Sequence, residues 1–149
     1  MKFLSKAAAT TALAATAFAV SSVANADAIS DRQAKMKTVG KSIGIVGKMA
    51  KGQSDFDAAI ALQAFVDMKN AAQGFEALFP DGSGEGKTEA APAIFTDRAG
   101  FEAKQVDFVA ALDKVTVAAP ADLKALQASL RDVGANCGAC HKAYRVKKN

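Results

Sequence analysis

Both cysteines and the single histidine of this 149-residue chain lie within five consecutive residues, Cys137-Gly138-Ala139-Cys140-His141. On a helix, positions 137, 140 and 141 stand at i, i+3 and i+4, so their side chains leave one face. Two thiols followed by an imidazole in that order read as a covalent c-type haem attachment site. The sulfurs add to the two vinyl groups along one edge of a flat macrocycle, and the adjacent ring nitrogen turns to the iron as axial ligand. Other uses of the same residues fit less well. A structural zinc takes four protein ligands, and here there are three. A thioredoxin-like pair follows a strand in a βαβ unit, and no stretch of this chain alternates as a strand does. A disulfide is open to two cysteines in an oxidising compartment, but it leaves the neighbouring histidine a coincidence.

With no second histidine, the remaining strong ligand for the far side of the iron is a methionine thioether. Met36, Met49 and Met68 are available. If the first and last helices are antiparallel neighbours, the start of one lies beside the end of the other, and Met36 comes level with His141. Met49 would then be roughly 20 Å away along the axis, and Met68 lies midway along the second helix. Met36 is the candidate for the second axial position. The other reading of it is a gap-filling core methionine that covers the distal face and leaves the iron five-coordinate. Arg32 stands one turn before Met36 and Arg145 one turn after His141. Each could pair with a haem propionate or flank the imidazole, and each could equally be a solvated surface residue.

Four segments with helical spacing must position these groups. The first runs from about residue 29 to 51, with Ser30 or Asp27 able to cap it. Met36, Gly40, Gly44 and Gly47 form a narrow stripe along it that predicts a close approach, by a flat ligand or by another helix. The second opens at Ser54, carries Phe56, Ile60, Phe65, Met68, Ala72, Phe75 and Phe79 on its apolar face, and stops at Pro80. A glycine-rich loop follows, without the basic signature of a nucleotide site. The third begins near Pro92 or Thr96 and ends about Val117. The fourth starts at Pro120, a favourable first helical position. Its apolar positions Leu123, Leu126, Leu130, Val133, Cys137, Cys140 and Tyr144 recur without a break, so the haem motif lies on the buried face. Gly134, seven residues before His141, leaves room for the porphyrin. Four amphipathic helices with mostly short connections predict an all-α, up-down-up-down four-helix bundle.

The first 26 residues read as a secretory signal peptide: Lys2 and Lys6, an apolar run from Ala7 to Val20, then Ala24-Asn25-Ala26 as cleavage site. The run is too short and too rich in Ala and Thr for a membrane anchor. Cleavage after Ala26 places the mature domain at 27–149, in the periplasm. About 120 residues suit a single core. The chain carries 19 basic and 15 acidic residues. Loss of two leader lysines brings the net charge to about +2, which argues against a nucleic-acid partner. The basic excess at the end, Lys142, Arg145, Lys147 and Lys148, suits a helix C-terminus. A docking patch for an acidic redox partner is the alternative.

The whole mature chain resembles the class II c-type cytochromes, the cytochrome c′ family. The resemblance is carried by Val133 to Arg145 around the haem motif, by Arg32-Gln33-Ala34-Lys35-Met36-Lys37 with Met49-Ala50-Lys51-Gly52, and by Pro92-Ala93-Ile94-Phe95. It implies one covalent haem c on Cys137 and Cys140, with His141 as proximal ligand. It implies Arg145 near the proximal face, Arg32 and Gln33 near the propionates, and Met36 over the distal face. The family divides there. One branch uses a methionine as sixth ligand and carries electrons; the other leaves iron five-coordinate and binds nitric oxide or carbon monoxide. Met36-Lys37 with Lys51-Gly52 resembles the low-spin branch. The expectation is a periplasmic one-electron carrier, not an enzyme, that meets a redox donor and acceptor. Homodimers through helices one and two are common in such proteins.

Overall fold

A computed structural model describes the backbone of residues 17–146 and side chains from residue 25 onward. Its elements are α1 (Ala17–Ala50), α2 (Ala58–Ala72), a 3₁₀ turn (Phe75–Leu78), the single turn α3 (Ala93–Thr96), α4 (Arg98–Ala118) and α5 (Leu123–Tyr144). The long helices pack in a ring, α1 on α2, α2 on α4, α4 on α5 and α5 on α1, giving the four-helix bundle. Among the described residues no helix is long and apolar enough to cross a membrane.

Several boundaries differ from the sequence expectation, each for a local reason. Helix α1 runs straight through Ser30, Asp27 and the expected cleavage site at Ala26, so neither candidate cap acts as one. The rest of the expected leader, residues 1–16, lies outside the described residues. Asp57 is the N-cap of α2 itself, accepting from the Ile60 amide, and Ser54 stays outside the helix. The second segment does not continue unbroken to Phe79. Gly74 adopts a left-handed φ of 66° and restarts the chain as the 3₁₀ turn. The third segment divides because Asp97 caps a fresh helix by accepting from Gly100. The fourth starts after Pro120, with Asp122 capping through the Ala125 amide.

The core has two parts. The larger is built from Val39, Val46, Met49, Phe65, Met68, Phe108, Leu112, Leu126 and Val133 and their neighbours. Each large side chain buried there contributes on the order of 2 kcal/mol. The smaller gathers Phe75, Phe79, Ile94, Phe101 and Tyr144 at one end of the bundle. Its rings stack edge to face: Phe75 on Phe79 at 5.2 Å, Phe79 on Phe101 at 4.9 Å, and Phe101 on Tyr144 at 5.5 Å. Such pairs add about 1 kcal/mol each beyond burial.

This end is closed by polar contacts. The Tyr144 hydroxyl donates to Asp97 at 2.6 Å. That bond, then burial, pushes the Tyr144 pKa up to about 12. Gly100 lies directly beneath the pair, and a Cβ there would collide with the Asp97 carboxylate and the Tyr144 hydroxyl.

Gly100→Ala is expected to destabilise the protein by about 1–3 kcal/mol in urea unfolding. Gly44→Ala, where no atom lies within 4 Å of the added Cβ, is expected to stabilise it by about 1 kcal/mol. Tyr144 is the only tyrosine, so phenolate absorbance reports it alone. Its midpoint is expected at about 12 in the folded protein, against about 10 when unfolded. Because folding favours the neutral phenol, this contribution to stability holds below pH ~10 and fades as pH rises towards 12. Tyr144→Phe should flatten that alkaline limb.

Candidate haem-binding site

The register between α1 and α5 organises the site. The Gln127 side chain donates from Nε2 to the Ala50 carbonyl at 2.9 Å, across the two antiparallel helices. Fourteen residues back along α1 from Ala50 is Met36, and fourteen residues on along α5 from Gln127 is His141. Both helices rise about 21 Å over that span, so Met36 and His141 stand at one level. By the same count Gly40 stands level with Cys137. Met49 and Met68 are buried in the larger core cluster, away from that level. Met36 is half-buried and is packed against both clusters.

The α1 side of this junction presents Met36, Gly40 and Gly47, and the α5 side presents Gly134 and His141, as helical spacing from the buried rows requires. A Cβ built on Gly40, Gly44, Gly47, Gly134 or Gly138 would meet no atom within 4 Å. The close approach expected at the glycine stripe is therefore not made by another helix among the described residues. Gly40, Gly44, Gly134 and Gly138 are exposed, so the space beside them opens onto the surface of the bundle. Cys137 and Cys140 are both free and half-buried; Cys137 borders the larger core cluster and Cys140 the smaller. Two sulfurs on one helix, open space beside Gly40 and Gly134, and Met36 level with His141 suit a flat apolar macrocycle attached along one edge.

The electrostatics agree with that use. Burial raises the pKa of both thiols, and for Cys140 the neighbouring Cys137 raises it further while Lys104 opposes the shift. His141 belongs to the exposed residues of α5, yet partial desolvation of its ring lowers its pKa. Arg145 adds to that lowering and Glu89 opposes it. A neutral imidazole is the form that binds iron.

The arginines take more definite places than spacing alone could assign. Arg145 donates from Nε to Glu89 at 2.6 Å and pairs with it through Nη2 as well. The backbone follows suit: Ala90 and Arg145 form an antiparallel bridge, flanked by Ala91 N–H to Tyr144 O and Val146 N–H to Glu89 O. Arg32 is almost wholly buried, at 4% exposure. Its guanidinium donates to Leu78 O, Ser83 Oγ, Ser83 O and Thr88 Oγ1, and lies 4.6 Å from the centre of the Phe79 ring. Burial lowers its pKa, but an arginine keeps its charge. Gln33 donates to Lys87 O at 2.7 Å. The loop between α2 and α3 is thus a strap tied to α1 by Arg32 and Gln33 and to α5 by Glu89.

Sequence reasoning brought Cys137, Cys140, His141, Met36, Arg32, Gln33 and Arg145 forward, and the structure gathers all seven at one end of the α1/α5 junction and its strap. It missed Gln127, which fixes the register, and Glu89, Thr88 and Ser83, which hold the strap. None of these stands at a distinctive spacing. Asp97 was findable, as a capping residue three places before Gly100.

The family model described as Cytochrome C′ matches residues 27–145. Cytochrome c-556 of Agrobacterium tumefaciens (strain II Chrys) is 38% identical over 120 residues, covering 80% of this chain and 98% of that protein. Cytochrome c′ of Alcaligenes xylosoxydans xylosoxydans is 38% identical over 124 residues, covering 82% of this chain and 95% of the relative. Among solved structures, a nitric oxide complex of a mutant cytochrome c prime from Alcaligenes xylosoxidans aligns with a TM-score of 0.75 at 37% identity, over 83% of this chain and 97% of that one. A C-terminal Cys-x-x-Cys-His motif on a glycine-walled four-helix bundle, matched over nearly all of its described length, makes this chain a member of the cytochrome c′ family, the class II c-type cytochromes, whose cofactor is covalent haem c.

Proposed function

We propose that this protein is an exported monohaem cytochrome that carries one electron, with the haem on Cys137 and Cys140 and His141 as proximal ligand. The observation that carries the reading is the register that sets Met36 level with His141, with open space beside Gly40 and Gly134. Bound haem supplies the Fe(III)/Fe(II) couple. The chain supplies the rest. Cys137 and Cys140 would hold the haem through their sulfurs. The His141 ring, held neutral by its surroundings, offers a nitrogen lone pair. Met36 would hold the iron through its thioether sulfur, a ligand type that favours the ferrous state and raises the potential. Arg32, Gln33 and Arg145 lie near the haem and hold the strap against both walls. The relatives are cytochromes and not enzymes. The family match begins at residue 27, which suits removal of residues 1–26 and a periplasmic domain with no membrane anchor.

A second reading has the stronger support from the comparisons. In it the iron is five-coordinate, and Met36 covers a distal face that takes nitric oxide or carbon monoxide. The family description is that of cytochrome c′, and similar solved structures include nitric oxide complexes. The shallow groove on the α1/α2 face, lined by Ala34, Lys35, Thr38, Asp67, Asn70 and Ala71, is where a homodimer of the family's kind would form.

Visible spectra of the ferrous protein with and without carbon monoxide separate the two readings. Methionine ligation predicts a low-spin spectrum indifferent to the gas, and Met36→Ala should then turn high-spin and gain at least about tenfold in carbon monoxide affinity. A wild-type spectrum that is already high-spin and shifts with the gas assigns the second function. His141→Ala should lose the proximal ligand in either case.

A further inference from the structure

After Asp132 the chain contains no acidic residue, while Lys142 and Arg145 follow His141 closely. Any acidic side chain beside the proximal imidazole must therefore come from another part of the fold. Among the described residues, two carboxylates are tied to this tail. Asp97 takes neutral donors there, the Gly100 amide and the Tyr144 hydroxyl. Glu89, on the strap, meets a cation. Its Oε2 accepts from Arg145 Nε at 2.6 Å and pairs with Nη2 as well.

Main-chain contacts that do not involve the carboxylate hold Glu89 in this place. Its carbonyl accepts from the Val146 N–H at 2.9 Å, and the next residue, Ala90, bridges to Arg145. On its other side, Thr88 Oγ1 accepts from Arg32 and from the Ala90 amide. Arg145 is tied to the ligand residue directly, since its N–H donates to the His141 carbonyl at 3.2 Å in the last turn of α5. The Glu89 side chain is 29% exposed against 52% for Arg145, so water screens the carboxylate less. Both charges reach the His141 ring, and they act on it with opposite sign.

We propose that Glu89 is a positioning residue for the proximal ligand: it fixes the Arg145 side chain, balances its charge beside His141, and so holds the reduction potential below the value that the basic tail alone would set. This rests on the reading that His141 holds haem iron, and it applies whether or not Met36 holds the far side. Loss of one electron leaves the centre more positive by one charge. A carboxylate nearby stabilises that oxidised state, and a guanidinium nearby opposes it. The pair therefore acts through the difference between its two charges, and removing either member exposes the other.

The test uses the holoprotein, with added haem mass and spin state checked first, and reads the reduction potential by spectroelectrochemical titration at low ionic strength. Glu89→Gln removes the charge and leaves the main-chain pairing in place. It should shift the ferrous/ferric equilibrium about threefold towards ferrous iron, or about 30 mV upward. Arg145→Gln should shift it about threefold the other way, and the double variant should return to within about twofold of the wild type. Glu89→Asp keeps the charge on a shorter arm, so it should restore the potential even where urea unfolding shows the same loss of stability as Glu89→Gln. Asp113→Asn, which breaks the ion pair with Lys69 between α2 and α4, should change the equilibrium less than about twofold. A Glu89→Gln potential that is unchanged or lower, equal shifts from Gln and Asp at position 89, or an equal shift from Asp113→Asn would overturn the proposal. So would Glu89→Gln and Arg145→Gln shifting the potential in the same direction. A chain with no haem mass overturns the functional reading itself, and is recognised before any potential is measured.

Discussion

The antiparallel register of α1 against α5 is the constraint on which the site depends. Where these helices approach, Gly40 and Gly47 of α1 and Gly134 of α5 offer no side chain, and Ile43 and Leu130 pack into the core instead. The register is set instead from the ends. At one end Gln127 reaches the last carbonyl of α1, satisfying a group that every helix C-terminus leaves unpaired. At the other, the strap ties Arg32 of α1 to the loop beside the last turn of α5. The two helices are thus held at both ends of their junction.

The strap makes this arrangement stiff. Arg32 is a buried cation whose four terminal N–H groups meet two carbonyls and two hydroxyls, with an aromatic face beneath. Its acceptors come from three points along the loop, so the loop cannot shift without leaving buried donors unsatisfied, at a cost of about 1–3 kcal/mol each. One residue beyond Thr88, Glu89 takes hold of Arg145. The segment that follows His141 is thus held by a carboxylate, a two-residue β-pairing and the Tyr144–Asp97 hydrogen bond. A haem site that must change charge without changing shape gains from such a rigid frame.

The polarity of the surface follows from the same division of labour. The α2/α4 side matches cations with carboxylates along and between its helices. Among the described residues, the exposed cations of α1 and α5 form no ion pair. Exposed ion pairs contribute little to stability, so the unequal distribution costs the fold almost nothing.

Local chemistry was enough to read much of this protein from its sequence. The Cys-x-x-Cys-His pentad, the apolar spacing of α5 and the four helical segments all rest on periodicities of 3.6 residues and on ligand types, which a linear chain displays openly. Helix ends were legible only in part, because Asp57, Asp97 and Asp122 act as caps through their own backbone angles, and Gly74 restarts a helix by turning left-handed. Tertiary structure alone decided the rest. That Arg32 is buried under a loop about fifty residues away, that Glu89 meets Arg145 and that Gln127 sets the register are facts of long-range contact. Such contacts leave no period in the sequence, since they depend on where chain closure brings the segments together.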